Sequence, residues 1–502
     1  MNGQGEAVSG SVNGGAVGGA TLLVGAARTV ITPPLGVSLA GSYTDRRAVG
    51  LRDDLYARAF VVDDGASQIA IVSCDLIGVR AATVAGARRI IEQRCGVPGD
   101  HVLIAATHNH AGPLTRELLA SGLAGETDEP YLTQLERQIA AAVEAALYRR
   151  APARLRLTVG EERGVAFNRR FFVRGGPVRT NPGHQNPDRG EAAGPIDARV
   201  WTLTALPVED GIPTEGSAAV PPNVVPLGLL VNFGLHPAIV GGTVIGGDFP
   251  AFLEAGVRKL LGPSGNGADT AASKTVREDP ASPVVVFANA PCGDINHIDV
   301  SHGQRASGFA EAARVGTILA GEVVKGACRL VSEWEAGGAD PSIPATQATQ
   351  AIRVRGARRA VELGVRRPTE EQVGWAREAA KGRMTMVPGA GLEVVEAQRI
   401  LALAEGWTGE TKTTEVQALA LGADLAVVGL PGEVFAELGL AVRERSPFRH
   451  TLVLGLANEA IGYVPTRRAF DEGGYEPTSS RLQPGGGEQL VDEAIALLAT
   501  LR

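Results

Sequence analysis

The feature that most constrains this chain is a junction repeated along it. Short apolar runs rich in β-branched residues break directly into polar turns built from His, Asn, Asp, Gly and Pro. VLIAA runs into Thr107-His108-Asn109-His110-Ala111-Gly112-Pro113, and VNF into Gly234-Leu235-His236-Pro237. VVVFA runs into Asn289-Ala290-Pro291-Cys292-Gly293-Asp294-Ile295-Asn296-His297. LAVVG runs into Leu430-Pro431-Gly432-Glu433, and LVLGLA into Asn458-Glu459. Apolar runs of this length, bounded by turn residues, read as buried strands.

Ala-rich helical patterns lie between the runs. Tyr131 to Arg149 carries Leu132, Leu135, Ile139, Val143 and Leu147 at helical spacing. Strands are also predicted at Tyr56–Asp63 and Gln68–Cys74, joined by the turn Asp63-Asp64-Gly65-Ala66, and a helix at Ala81–Arg94. Further helices are expected over Pro250–Leu261, Ala306–Val331, Thr369–Lys381, Glu393–Glu405, Glu433–Arg445 and Glu488–Leu498, with Thr369 and Gln372 forming a capping box. Interleaved strands and helices give a mixed α/β (α+β) class, with central mixed sheets flanked by helices. The expected organisation is a flexible Gly- and Ser-rich segment over 1–20, then one large domain over 21–502. Pro207–Pro222 and Gly262–Pro283 read as surface insertions, and the helical stretch of about 365–405 as a lid or subdomain.

Composition narrows the function. The net charge is −7 with no long basic run, which argues against a nucleic-acid footprint. No apolar stretch approaches the ~20 residues of a membrane span. Cys74, Cys95, Cys292 and Cys328 lie far apart with no CxxC pair, so neither a disulfide framework nor a Cys-rich zinc module is indicated. The N-terminus lacks a basic region followed by an apolar one, and the default location is cytoplasmic.

The junctions hold the candidate chemistry. On an extended backbone His108 and His110 share a face and can converge on one point. Histidine is the commonest metal ligand, although two polar residues at a strand end would look the same. His236 alone reads better as a satisfied structural histidine, and Asp248, in Gly247-Asp248-Phe249-Pro250, as a helix N-cap. Asp294 and Asn296 could hold a water, orient an imidazole or bind substrate, or simply favour a turn. Glu433, at the start of a predicted helix, suits the helix dipole or an anionic metal ligand.

Taken in order, these segments resemble the catalytic domain of the neutral (non-lysosomal) ceramidase family. His108-Asn109-His110-Ala111-Gly112-Pro113 resembles its His-Thr-His-Ser-Gly-Pro stretch, and His236 with Gly247-Asp248 its strand-end His and Gly-Asp. Pro431-Gly432-Glu433 resembles its Pro-Gly-Glu, and Asn458, Tyr463 and Tyr475 its Asn and paired tyrosines. Leu55-Tyr56-Ala57-Arg58-Ala59 matches an upstream stretch. The likeness spans roughly Thr21 to Glu476 and stops short of the family's C-terminal β-sandwich.

The resemblance implies one Zn²⁺ per chain, held by His108, His236, Glu433 and Tyr463. It places His110 and Tyr475 at the substrate or the developing charge, with Arg169 nearby. One departure bears on mechanism. The family's proposed serine nucleophile falls at Asn296, and an amide cannot form the same covalent intermediate. Metal-activated water then becomes the expected nucleophile, with Asp294, His110 or His297 handling protons or contacting substrate. The expectation is a zinc-dependent hydrolase that cleaves a C–N amide bond of a small or N-acylated substrate, with no nucleic-acid partner and room for homo-oligomers. Ester, lactone or glycosidic cleavage, and a non-catalytic ligand-binding relative, stand as alternatives.

Overall fold

Period-two alternation in the apolar runs builds two sheets that share one core. The computed structural model describes residues 22–116, 125–208, 225–262, 282–301, 307–335, 352–381 and 392–502. The lead-in over 1–20 and most of the two insertions lie outside the described residues.

The larger sheet has eight strands: β1 (Leu22–Val30), β2 (Tyr56–Asp63), β3 (Gln68–Cys74), β4 (Val102–Ala106), β5 (Ala151–Glu161), β6 (Arg199–Pro207), β7 (Gly228–Phe233) and β8 (Val284–Asn289). Their order is β8-β7-β6-β5-β1-β2-β3-β4. The second sheet has β9 (Val354–Gly364), β10 (Thr411–Leu421), β11 (Leu425–Gly429) and β13 (His450–Leu454) in the order β9-β10-β11-β13. A two-residue strand, β12 (Glu433–Val434), pairs in parallel with β14 (Tyr463–Val464).

The side chains show why the two sheets stack. On β2, Phe60 and Val62 face the second sheet, while Ala57, Ala59 and Val61 face helices. On β11, Leu425 and Val427 face the larger sheet, and Ala426 and Val428 face away from it. The outer faces are covered by α1 (Ala81–Cys95), α2 (Glu129–Tyr148), α3 (Asp248–Leu261) and α4 (Phe309–Glu335) on the larger sheet. On the second sheet the cover is α7 (Ala436–Arg445) and α10 (Gly486–Thr500). The result is helix, sheet, sheet, helix, which is the expected mixed α/β class. The five apolar positions anticipated on α2 all enter the core, each contributing roughly 1.5–3 kcal/mol of transfer free energy.

Apart from these layers, α5 (Glu370–Ala379) packs on α6 (Leu392–Glu405) through Ala376, Ala397 and Ile400. The Thr369 capping box that starts α5 is formed. The short helices α8 (Arg467–Glu472) and α9 (Tyr475–Ser479) follow β14.

Three parallel pairs, β3/β4, β7/β8 and β11/β13, are each joined through a crossover helix, α1, α3 and α7 respectively. Their carboxyl ends open on one region, where α/β sheets usually build sites. Asn289, at the end of β8, ties that region together. Its amide Nδ2 donates to Thr107 O and Leu235 O at 2.9 Å each, and Gly455 N donates to Asn289 O at 2.9 Å.

Two expectations need correction. Glu433 does not start a helix: it lies in β12, and α7 begins at Ala436. Pairing with β14, some thirty residues downstream, outweighs the local helical pattern. Asp248 is not an N-cap but the first residue of α3, with φ 52°. Its carboxylate instead accepts from Ile239 N at 3.0 Å and Val240 N at 2.9 Å. It thereby anchors the loop after His236.

Candidate metal centre

His108, at φ 74°, takes a conformation uncommon for a side-chain-bearing residue. The turn is held by Leu76 O, which accepts from both His108 N and Asn109 N at 2.9 Å. The imidazole Nδ1 donates to Ile77 O at 2.8 Å, which orients the ring with Nε2 facing inward. His236 repeats the arrangement, with Nδ1 donating to Cys292 O at 2.8 Å.

Both Nε2 atoms point at one carboxylate oxygen. Glu433 Oε2 is 3.4 Å from His108 Nε2 and 3.6 Å from His236 Nε2. His110 Nε2 is 3.2 Å from His108 Nε2. One nitrogen from each histidine lies within 4.8 Å of the other two. Burial, the Arg169 charge and His108 lower the His236 pKa to about 3, so its ring is neutral. Its Nε2 is buried with no hydrogen-bond partner. A neutral lone pair facing a carboxylate oxygen at 3.6 Å is repulsive unless a cation lies between them.

The donor set fits zinc. Ligand bonds of 2.0–2.2 Å in a tetrahedron place donor atoms about 3.4 Å apart, and the Glu433–imidazole separations of 3.4 and 3.6 Å lie close to that value. Burial disfavours ionisation of Glu433, but His108, His236 and Arg116 outweigh it and hold its pKa well below the usual carboxylate range. Arg116 Nη2 donates to Glu433 Oε1 at 3.2 Å. Glycine is required beneath the cluster: a Cβ on Gly293 would sit 2.2 Å from Glu433 O, and one on Gly41 2.2 Å from His110 Nδ1.

Tyr463 lies opposite Glu433 in register. Its hydroxyl accepts from Arg169 Nη2 at 3.0 Å, and burial followed by the Glu433 charge raises its pKa well above 10. Arg169 also donates through Nε to Glu476 Oε1 at 2.7 Å and through Nη2 to Gly293 O at 2.7 Å. Tyr475 hydrogen-bonds Tyr43 through the two hydroxyls.

A cavity of about 160 Å³ opens over these groups, lined by His108, His110, Glu433, Tyr463 and Tyr475 together with Tyr43, Arg116, Arg399 and Arg481. That is roughly ten times the space one water needs, enough for a small organic group.

Residues 22–173 match the family model described as "Neutral/alkaline non-lysosomal ceramidase, N-terminal". The resemblance to neutral ceramidases is borne out. Likeness of fold extends over more of the chain. The crystal structure of neutral ceramidase from Pseudomonas aeruginosa is similar at a TM-score of 0.67 and 20% identity, covering 96% of this chain and 75% of that one. A ceramidase complexed with C2 is similar at 0.66 and 18%, with the same coverage. No curated protein matches significantly.

Set against the ceramidase motifs, the junctions divide into two groups. The structure brings His108, His110, His236, Glu433, Tyr463, Tyr475 and Arg169 together. Asp294, Asn296 and His297 do not line the cavity. Asp294 Oδ1 accepts from Ala436 N at 2.9 Å and Oδ2 from Asn168 Nδ2 at 2.7 Å, and burial raises its pKa to about 6. It caps α7 and holds the Glu433 turn. Asn296 donates to Asn181 Oδ1 and accepts from Ile298 N, each at 3.0 Å. His297 is buried beside them. Cys74 and Cys292 are buried free thiols whose pKa values burial pushes up, which suits a packing role.

Tyr43, Arg116, Arg399 and Glu476 escaped the sequence reading. Glu476 follows Tyr475 directly and is fully buried between Arg169 and Thr180. Only its place beside a site tyrosine could have marked it.

Proposed function

We propose that this chain is a zinc-dependent hydrolase that cleaves a C–N amide bond in a small or N-acylated substrate. The observation that carries the reading is the convergence of His108 Nε2, His236 Nε2 and Glu433 Oε2 at 3.4–3.6 Å with the His236 lone pair otherwise unsatisfied. His108, His236, Glu433 and Tyr463 would hold the ion, which when bound would polarise a carbonyl and lower the pKa of a water.

The chain's own residues supply the rest. His110 faces the cavity, and burial with the neighbouring imidazoles holds its pKa well below 6.5, so its ring is neutral and suited to hydrogen-bonding the substrate. Tyr475, paired with Tyr43, presents a hydroxyl to charge developing on the carbonyl oxygen. Arg169 orients Tyr463 while bracing the Gly293 loop beneath Glu433. Both ends of the Asn296 amide are engaged by neighbours, which leaves water as the nucleophile. Ile77, Ala402 and Leu403 and the rings of Tyr43, Tyr463 and Tyr475 give the cavity apolar surface beside its charged groups.

A panel of chromogenic amides, esters, lactones and glycosides, with a fluorescent ceramide, tests the reading on zinc-loaded protein. Amide hydrolysis abolished by chelation and restored by zinc is expected. Turnover of esters or glycosides alone would change the bond assigned. No turnover of any substrate by zinc-loaded protein would favour a ligand-binding relative.

A further inference from the structure

Three guanidinium groups line the cavity over the imidazole cluster, and only one of them meets an anion. Arg116 is paired with Glu433. Arg399, on α6, stacks its guanidinium 4.1 Å from the Tyr475 ring centroid and 5.6 Å from that of Tyr43. Arg481 lies 5.5 Å from the Trp407 ring centroid. Among the described residues neither Arg399 nor Arg481 has a carboxylate partner. The Nε atoms of Arg116 and Arg399 are buried without an acceptor. Burial and the neighbouring Arg116 charge both lower the Arg481 pKa from 12.5.

This arrangement is costly for a cavity with nothing to bind. Arg116, Arg399 and Arg481 are each partly buried, and partial desolvation of guanidinium groups without counter-charges is unfavourable, with repulsion added where two lie near each other. Among the described residues the one carboxylate lining the cavity, Glu433, is already committed to His108, His236 and Arg116. Stacking on Tyr475 and Trp407 orients the two planar groups; Arg399 also reaches the Tyr43 side chain, while its buried Nε lacks an acceptor. Guanidinium groups bind carboxylate and phosphate oxygens through paired hydrogen bonds that an ammonium cannot reproduce.

The geometry points to a substrate that carries an anionic oxygen group, carboxylate or phosphate, bound by Arg399 and Arg481 in the same cavity as the scissile bond. This rests on the hydrolase reading for the fate of the ligand, but not for its binding. N-acylated amino acids and N-acylated phosphoamines are the two classes that combine an amide with such a group. Arg399 and Arg481 are then residues that set specificity.

Calorimetric titration of the full chain tests it with four probes: N-acetylglycine, N-acetyl-O-phosphoethanolamine, and their neutral counterparts N-acetylglycinamide and N-acetylethanolamine. At least one anionic probe is expected to bind tenfold or more tightly than its counterpart, and which one identifies the class. That ratio should fall below about threefold in both Arg399→Gln and Arg481→Gln. Arg399→Lys, which keeps the charge without the fork, should retain only part of it. Equal binding of charged and neutral probes, no detectable anion binding at millimolar concentration, or a ratio unchanged in both Gln variants would each overturn the proposal. Because the wild-type ratio decides alone, misfolding of a variant does not rescue it. Hydrolysis of neutral amides without an anion preference would sink this inference and leave the hydrolase reading standing. An anion preference with no hydrolysis of any amide would do the reverse.

Discussion

Gly293→Ala probes how tightly the Glu433 strand is held. The added Cβ would lie 2.2 Å from Glu433 O and 2.9 Å from Glu433 C. These are backbone atoms, so no rotamer change relieves the clash. To reach ordinary van der Waals contact β12 must shift by about 1 Å, whereas functional constellations tolerate roughly 0.5 Å. The shift would move Glu433 Oε2 away from the two imidazole nitrogens. A supporting-residue change of this kind costs about 10–100-fold in metal affinity, and the upper end is expected here, near 2.7 kcal/mol. Overpacking should destabilise the fold by a further ~1–3 kcal/mol. Competition against a chromophoric zinc chelator measures the first quantity and urea unfolding the second. Gly176→Ala, where an added Cβ meets nothing within 4 Å, is the control. Wild-type zinc affinity together with wild-type stability in Gly293→Ala would refute the packing argument.

Asp294→Asn must set an NH2 against either Ala436 N–H or the Asn168 amide, so one hydrogen bond is lost and urea unfolding should show a cost of ~1–3 kcal/mol. Arg169→Met removes the nearer of the two guanidinium groups paired with the fully buried Glu476 carboxylate and should cost ~1.5–3 kcal/mol in the same assay; no measurable change would mean that Thr180 and Arg170 satisfy Glu476 unaided. The His236 pKa, lowered to about 3 from 6.5, sets a pH dependence for the metal-free protein. Between those values the unfolded chain binds the proton and the folded chain does not, so this contribution is complete above pH 6.5 and lost as pH falls. Wild type should therefore lose ~2 kcal/mol more stability than His236→Gln between pH 7 and pH 5. Asp248 and Asp294, raised to about 6, act with the opposite sign but equally in both proteins.

What could be read from the sequence follows from what is local. The apolar runs that became β2, β3, β4, β7, β8 and β11 announce themselves, because alternating or continuous burial is written into consecutive residues. β9 does not: its Arg355, Arg358, Arg359 and Glu362 reflect a half-exposed strand at a sheet edge. β1 was also missed, lying beside the Gly-rich lead-in. Glu433 was legible as a candidate ligand but placed in the wrong element, because β12 exists only through pairing with β14. The same rule governs the site. His108, His110 and His236 stand at visible strand exits, whereas Arg116 meets Glu433 across 317 positions. Arg399 reaches the cavity from α6, in the helical stretch expected as a lid or subdomain, where nothing local distinguishes it from a solvated helix arginine. Asp294 and Asn296 carried the right chemistry for a site, but their hydrogen bonds go to backbone and amide partners that only the fold reveals.

The central claim is that His108, His236 and Glu433 together form one metal site. Zinc content of the purified full chain, measured by elemental analysis for wild type, His108→Ala, His236→Ala and Glu433→Gln, tests it most directly. The expected result is one zinc per wild-type chain and less than a tenth of that in each folded variant. A wild type without zinc after loading, or three variants that retain it, would contradict the claim.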